Sequence, residues 1–119
     1  MTEVLQVHRL QFGYAGLESA FASSFDFCLN AGEVVALMGE NGCGKSTLLK
    51  TFAGSIPAMG GRAMLCGKPL GEWSARERAC RIALVRMAVS APDRMTVREF
   101  VGLGRSPYSG MLEDRKSVV

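Results

Sequence analysis

The amino-acid sequence predicts an α/β fold in which an antiparallel β layer precedes part of a parallel-sheet core. The N-terminal region contains two segments with alternating apolar and polar side chains, which is typical of half-exposed antiparallel strands. After them, short apolar strands alternate with helical patterns, and a glycine-rich loop joins one such strand to a helix. With 119 residues, 48% hydrophobic and 21% charged, the chain has the size and composition of one folded domain.

Composition and charge argue against several classes of protein. The 14 basic and 11 acidic residues give a net charge of +3, which is too small and too scattered to indicate nucleic-acid binding. The longest apolar run, residues 34–38, is far shorter than the roughly 20 residues that a membrane-spanning helix needs. The N-terminal residues lack the pattern of a secretory signal, and the four cysteines form no C-x-x-C pair. We therefore expect a cytoplasmic protein with reduced thiols.

Two strands are predicted before the glycine-rich loop. Residues 4–12 form the first, in which Leu5 and Val7 alternate with polar neighbours until the alternation slips near Arg9. Residues 24–29 form the second, with three apolar side chains on one face and three polar or small ones on the other. Both patterns predict a sheet with one face against the core and the other in water.

The segments that flank the loop have different patterns. Residues 34–38 are apolar without alternation, as expected of a strand that is buried on both faces. From Lys45 the pattern becomes helical, and it ends near Gly54, a residue type that commonly terminates helices. The apolar face predicted for this helix consists of Leu48, Leu49 and Phe52.

The second half of the chain continues the alternation of strands and helices. Residues 62–66 predict a short strand, and residues 82–85 predict a second strand of the buried type. A capping box, in which a serine or threonine precedes a glutamate by three residues, begins each of two predicted helices. These helices cover residues 74–81 and 96–103.

The glycine-rich loop matches the phosphate-binding pattern G-x-x-x-x-G-K-[ST] at every fixed position. Its residues are Gly39, Glu40, Asn41, Gly42, Cys43, Gly44, Lys45, Ser46 and Thr47. Glycines allow the backbone to curl so that successive N–H groups converge on an anion. The N-terminal end of the following helix adds partial positive charge. The alternative is a glycine-rich turn that only caps a core helix, but the complete match to the pattern, with a strand before the loop and a helix after it, favours nucleotide binding.

Three side chains of the loop predict specific contacts with a nucleotide. Lys45 is expected to reach the β- and γ-phosphates as a point charge and to act in catalysis. The hydroxyl of Ser46 is expected to ligate Mg²⁺, and Thr47 is placed to assist a phosphate. The ligands predicted from these residues are ATP and Mg²⁺.

The surroundings of the loop resemble the N-terminal part of an ABC transporter ATPase subunit. Phe12-Gly13-Tyr14 lies about 25 residues before the loop, where that family places an aromatic side chain that stacks on adenine. The resemblance implies this role for Tyr14. Residues 31–49 are close to the family's sequence around its phosphate loop, and residues 103–108 are similar to a segment of iron–siderophore, haem and cobalamin importer ATPases.

The resemblance implies a P-loop NTPase fold and a function in membrane transport. In such a subunit ATP lies between two copies of the ATPase, and its hydrolysis drives transmembrane permease subunits that receive cargo from a substrate-binding protein. The subunit is then peripheral on the inner face of the cell membrane. The resemblance implies no contact with nucleic acid.

The sequence also departs from the family. It contains no L-S-G-G-Q-type signature, no Asp-Glu strand and no switch histidine, because its single histidine, His8, precedes the loop on a predicted surface strand. We therefore expect residues 1–119 to be a truncated nucleotide-binding domain with negligible turnover of its own. The glutamine that the family places after residues 82–85 is replaced by Arg86 and Met87, and Ser90 or Asp93 remains open as a substitute ligand.

Two alternatives stay open at this point. The chain can be a nucleotide-binding unit without catalytic activity, or it can belong to a soluble ABC-type ATPase that works without a permease. A P-loop kinase is a more distant alternative, because the antiparallel strands before the loop do not suit it.

Overall fold

The computed structural model describes residues 2–13 and 24–109 and divides the chain into two compact units, residues 1–74 and 75–119. The first unit contains strands β1 to β4 and helix α1, and the second contains helices α2 and α3. Their bounds are β1 Glu3–Gln11, β2 Phe25–Asn30, α1 Lys45–Phe52, β3 Gly60–Leu65, β4 Lys68–Pro69, α2 Ala75–Ala79 and α3 Val97–Gly102. Short 3₁₀ turns cover Leu70–Glu72 and Leu103–Arg105.

The first unit is built on a four-stranded antiparallel sheet with the strand order β2-β1-β3-β4. The central strand β1 places Val7 opposite Phe27 of β2 and opposite Ala63 of β3. The pairing with β2 shifts between Val7 and Leu10, where Arg9 has a φ of 48°. This irregularity is the slip in alternation that the sequence shows near Arg9, and it returns Leu10 to the buried face.

The core of this unit lies between one face of the sheet and α1. Its buried members are Leu5, Val7, Leu10, Phe12 and Leu48. Partly buried side chains pack around them, namely Phe25, Phe27, Leu29, Phe52 and Ala63. The opposite face of the sheet is polar, and there His8 pairs with Asp26 at 2.9 Å while both side chains stay about three-fifths exposed. The half-exposed antiparallel layer that the sequence predicts is confirmed.

Helix α1 ends at Phe52, close to Gly54, the terminating residue that the sequence predicts. This glycine has a φ of 75°, and its N–H donates to the carbonyl of Thr51 while the N–H of Ser55 donates to that of Lys50. These two bonds form the Schellman arrangement that satisfies the last carbonyls of a helix. The predicted apolar face is wrong in one position, because Leu49 is 46% exposed. The face turned to the sheet carries Thr47, Leu48, Thr51 and Phe52 instead.

A tight hairpin joins β3 to β4. Leu65 pairs with Lys68, and the two residues between them, Cys66 and Gly67, have φ values of 49° and 77°. Positive φ at both central positions is the type I′ geometry that matches the twist of the paired strands. The indole N–H of Trp73 donates to the carbonyls of Leu65 and Lys68, at 3.1 and 3.3 Å, and so fixes the base of the turn.

In the second unit, α2 begins at Ala75, directly after the predicted cap Ser74, and ends before the predicted boundary at residue 81. Helix α3 begins with the predicted capping box. The hydroxyl oxygen of Thr96 accepts the N–H of Glu99, and the N–H of Thr96 donates to the Glu99 carboxylate at 2.8 Å. This backbone N–H stabilises the charged form and lowers the pKa of Glu99.

The two predicted strands of the parallel-sheet core are not strands in this structure. Residues 34–38 and 82–85 belong to no helix or sheet, and Val34 and Val85 are 98% and 96% exposed. A strand of this apolar type forms only when neighbouring strands pair with its backbone and other elements cover both faces. Within the described residues the only sheet is the antiparallel one, so neither segment has such a neighbour. None of the helices among the described residues has the length and apolar composition of a membrane-spanning segment.

Candidate functional site

The predicted phosphate loop leads directly into α1. Gly42 has a φ of 86°, and Gly44, the N-cap residue of the helix, has φ 100° and ψ 13°. Both values lie in the left-handed region that glycine adopts without steric cost. The helix starts at once, because the N–H of Leu48 donates to the carbonyl of Gly44 at 2.9 Å. Residues 39–43 are exposed, so a ligand can approach the loop.

The ammonium group of Lys45 lies over this loop. It donates to the carbonyl of Gly39 and to that of Glu40, the latter at 2.7 Å, and lies 3.8 Å from the Cys43 sulfur. The lysine therefore folds back from the first turn of α1 onto the start of the loop. This position puts one full positive charge beside the partial positive charge of the helix end, and the first turn of α1 carries no acidic side chain.

The two hydroxyl residues of the motif have different environments. Ser46 is exposed on the first turn of α1, whereas Thr47 is only 5% exposed on the side that packs against the core. The carbonyl of Thr47 accepts a hydrogen bond of 2.8 Å from the hydroxyl of Thr51, and this hydroxyl is itself buried. In this conformation Ser46 is the hydroxyl that a ligand above the loop can reach.

The turn before the loop is held by Glu33. Its carboxylate accepts the N–H of Asn30 at 2.7 Å, and its own N–H donates to the Asn30 carbonyl. The bond from the Asn30 N–H lowers the pKa of Glu33. The chain thus leaves β2 in a fixed turn before it reaches residues 34–38.

The other residues that the sequence predicts for the site are distant from the loop along the chain. Tyr14, the expected adenine platform, lies outside the described residues. Arg86, Met87 and the possible substitutes Ser90 and Asp93 are exposed residues of the second unit. The surface position predicted for His8 is confirmed by its 62% exposure.

Sequence reasoning missed a group of aromatic side chains next to the loop helix. Phe52, the last residue of α1, stacks on Phe27 of β2 with ring centroids 5.8 Å apart and an angle of 14° between the planes. Phe25 lies 6.3 Å from the same Phe52 ring. The signal was present in the sequence, since Phe25 and Phe27 lie on one face of a strand, but nothing in it identified their partner on α1.

Metal-ligating side chains do not cluster in the described residues. Among residues 2–13 and 24–109, no group of three or more histidine, cysteine, aspartate or glutamate side chains is arranged to hold a metal ion.

Relatives of the chain are named as ATP-binding proteins of import or transport. The hemin import ATP-binding protein HmuV of Gloeobacter violaceus is 46% identical over 85 residues, which is 71% of this chain and 31% of that protein. The achromobactin transport ATP-binding protein CbrD of Dickeya dadantii is 38% identical over 104 residues, 87% of this chain and 38% of that protein. The chain thus spans about a third of the length of the curated relatives it matches.

Solved structures and the family profile agree with these relatives. An ABC transporter ATP-binding protein from Pyrococcus furiosus shares the fold with a TM-score of 0.71 over 87% of this chain and 48% of its own, at 24% identity. An ATP-binding subunit of an ABC transporter superposes with a TM-score of 0.75 at 27% identity, over 92% of this chain and 45% of its own. This likeness confirms the predicted fold class. The sequence profile of the ABC transporter family matches residues 22–118, and the chain therefore belongs to that family.

Proposed function

We propose that this protein binds ATP at residues 39–47 as the ATP-binding part of an importer of ferric siderophore, haem or cobalamin. The observation that carries the proposal is the position of Lys45, whose ammonium lies over a glycine loop at the N-terminal end of α1. The relatives named for hemin and achromobactin transport support the class of cargo.

Phosphate binding rearranges the contacts of Lys45. In the described conformation its ammonium is held by two backbone carbonyls, those of Gly39 and Glu40. The β- and γ-phosphates of ATP offer charged oxygen atoms, which form stronger hydrogen bonds to an ammonium than neutral carbonyls do. The lysine then turns from the loop to the phosphates. The N–H of Cys43 donates to the carbonyl of Glu40 at 3.3 Å, so the backbone N–H groups proposed to cradle the phosphates are those of Asn41, Gly42 and Gly44.

Magnesium fits this arrangement through Ser46. Its hydroxyl is exposed beside the loop and is a hard oxygen donor, which Mg²⁺ prefers. The other ligands would be phosphate oxygens and water, the usual pattern for Mg²⁺ at nucleotides. When bound, the ion neutralises part of the charge on the β- and γ-phosphates. Thr47 is buried and supports the phosphate site from within the first turn of α1.

Hydrolysis and transport are proposed for the assembled importer. There a second copy of the ATPase would complete the site. The conformational change of the two ATPase copies would drive the permease subunits, to which a substrate-binding protein would deliver the cargo. The assembly would hold the ATPase at the inner face of the cell membrane. In hydrolysis, Lys45 would stabilise the charge that develops on the transferred phosphoryl group.

A non-catalytic nucleotide-binding role is the second candidate. It is favoured by the sequence, in which Arg86 and Met87 stand where the family uses a glutamine and where neither side chain supplies an oxygen ligand. Steady-state phosphate release by the ATPase assembled with its permease subunits distinguishes the two candidates, because only the catalytic one produces phosphate there.

Calorimetric titration with ATP tests the site. Lys45→Ala removes a charge-assisted contact, and we expect its ATP affinity to fall about 10- to 100-fold. Lys50→Ala is the matched control, because it removes the same charge from the last turn of the same helix. Equal ATP affinity of Lys45→Ala and the parent protein would exclude residues 39–47 as the phosphate site.

A further inference from the structure

The side chain of Lys45 closes the phosphate loop on itself. Its ammonium group donates to the carbonyls of Gly39 and Glu40, which are the first two residues of the loop, whereas Lys45 is the first residue of α1. The lysine therefore bridges the two ends of the loop. We call the Lys45 ammonium together with the Gly39 and Glu40 carbonyls the lysine latch.

The lysine latch rests on a tight turn from Glu40 to Cys43. The N–H of Cys43 donates to the carbonyl of Glu40 at 3.3 Å, which joins the fourth residue of the turn to the first. Gly42, the third residue, has a φ of 86°, as a type II turn requires at that position. The Glu40 carbonyl therefore accepts two donors, the Cys43 N–H and the Lys45 ammonium, and both stabilise the same closed turn.

The lysine latch also fixes the orientation of two peptide groups in the loop. In a trans peptide the C=O and the N–H that follows it point in opposite directions, and the described residues contain no cis peptide bond. The Gly39 carbonyl shares its peptide group with the Glu40 N–H, and the Glu40 carbonyl shares its own with the Asn41 N–H. Because both carbonyls face the ammonium, both N–H groups point away from it. An anion in place of the ammonium would meet two carbonyl oxygens instead of two N–H donors.

We infer that the lysine latch is an autoinhibitory contact of the phosphate loop, which a polyphosphate ligand must open in order to bind. The inference rests on the proposed function. Carbonyl oxygens repel phosphate oxygens, so the ammonium must leave Gly39 and Glu40, and their peptide groups must reorient, before the Asn41 N–H can contact a phosphate. The ligand draws the ammonium away because its charged oxygens form stronger hydrogen bonds than neutral carbonyls do. The ligand-free loop is therefore closed, and the anion site forms as the ligand binds.

A loop that is already shaped for phosphate predicts a different result. Lys45 would then act as a phosphate ligand alone, and its contacts with the carbonyls would not determine the shape of the loop. Replacing the lysine would lower the affinity for polyphosphate but leave the ligand-free loop unchanged. The ligand-free protein therefore separates the two possibilities, independently of any binding measurement.

The experiment compares NMR spectra of the protein without ligand and with inorganic tripolyphosphate. The carbonyl ¹³C resonances of Gly39 and Glu40 report on hydrogen bonds to their oxygens, and hydrogen exchange of the Cys43 amide reports on the turn. Lys45→Ala removes the lysine latch, and Lys45→Met removes the ammonium while it keeps an unbranched apolar side chain. Lys50→Ala, which removes the same charge from the last turn of α1, is the matched control. Calorimetry with tripolyphosphate and with ATP measures binding on the same samples.

Without ligand, we expect both Lys45 variants to shift the carbonyl resonances of Gly39 and Glu40, and Lys50→Ala to leave them in place. The Cys43 amide should exchange about 2- to 10-fold faster in both Lys45 variants, as expected when one hydrogen bond that supports the turn is lost. Tripolyphosphate should move the two carbonyl resonances of the parent protein toward the positions found in the Lys45 variants, because it removes the ammonium from the same oxygens.

Carbonyl resonances that are the same in the ligand-free parent and in both Lys45 variants would overturn the inference, although calorimetric binding of tripolyphosphate would leave the phosphate site standing. The inference also fails if calorimetry shows tripolyphosphate bound to the parent protein while the Gly39 and Glu40 resonances do not move. A parent protein that binds neither tripolyphosphate nor ATP overturns the proposed function and the inference with it.

Discussion

Gly61 provides a direct test of the sheet that carries the proposed site. It lies on β3 with a φ of 79°, beside the irregular part of β1. A Cβ atom added there would overlap the carbonyl oxygen of Arg9 and lie 2.7 Å from that of His8. Both contacts are with backbone atoms of the central strand, so no side-chain rotation relieves them. Gly61→Ala must therefore displace β1 or β3.

The expected cost has two parts. The left-handed conformation costs a non-glycine residue roughly 1–2 kcal/mol. Forcing the strands apart adds a further cost of about 1–3 kcal/mol, typical of overpacked sites. We expect Gly61→Ala to lose roughly 2–5 kcal/mol of unfolding free energy, a large part of the about 5–15 kcal/mol that stabilises an ordinary domain.

Gly67→Ala is the matched control for this prediction. Gly67 has nearly the same φ, 77°, but no atom lies within 4 Å of the Cβ position. Gly67→Ala carries only the conformational cost of a positive φ. The free energies of unfolding of the two variants should therefore differ by roughly 1–3 kcal/mol. Urea unfolding followed by the fluorescence of Trp73, the only tryptophan, reports on this unit. Equal destabilisation by the two substitutions would refute the close approach of Gly61 to β1.

The remaining predictions concern the nucleotide base, the α3 cap and the exposed apolar segments. Tyr14→Ala is expected to weaken ATP binding by about 1–3 kcal/mol while Tyr14→Trp preserves it, since stacking needs only an aromatic face, and calorimetry showing parent-like binding for both would contradict this role. The pKa of Glu99 is lowered by the Thr96 N–H, so its contribution to stability is present above its ordinary pKa and is lost as the pH falls through the lower folded value. The amide resonance of Thr96 should shift in acid below about pH 4.3 in the parent protein but not in Glu99→Gln, and a resonance that does not move would contradict the cap. Because Val34 and Met38 are 98% and 87% exposed, we expect the 119-residue chain to self-associate, and sedimentation should show less association for Val34→Lys with Met38→Lys than for the parent.

Features encoded by neighbouring residues could be predicted from the sequence. The loop at residues 39–47, the start of α1 and the capping box of α3 each depend on contacts within a few residues. The termination of α1 at Gly54 is of the same kind, because the Schellman bonds span only six residues. Such interactions require no knowledge of the rest of the fold.

Features that depend on distant partners could not be predicted in this way. Leu49 continues the apolar pattern of α1, yet the sheet contacts the side of the helix that carries Thr47 and Thr51. Residues 34–38 have the composition of a buried strand, but composition does not specify which strand pairs with them. The group of aromatic side chains beside α1 was missed for the same reason, since its contacts join residues up to 27 positions apart, from Phe25 to Phe52.

The contrast between residues 34–38 and α1 identifies what holds the proposed site in place. The segment before the loop is exposed and has no sheet partner in the described structure, whereas the helix after it is anchored by Leu48, Phe52 and the buried hydroxyl of Thr51. The loop is therefore fixed from its helical side, and the Lys45 ammonium, held on Gly39 and Glu40, ties the other end of the loop back to that helix. Because Lys45 exchanges these carbonyls for phosphate oxygens when ATP binds, the tie belongs to the ligand-free loop. The Lys45→Ala variant should therefore have a looser free loop, and its ATP affinity should fall because the charged contact with the phosphates is lost.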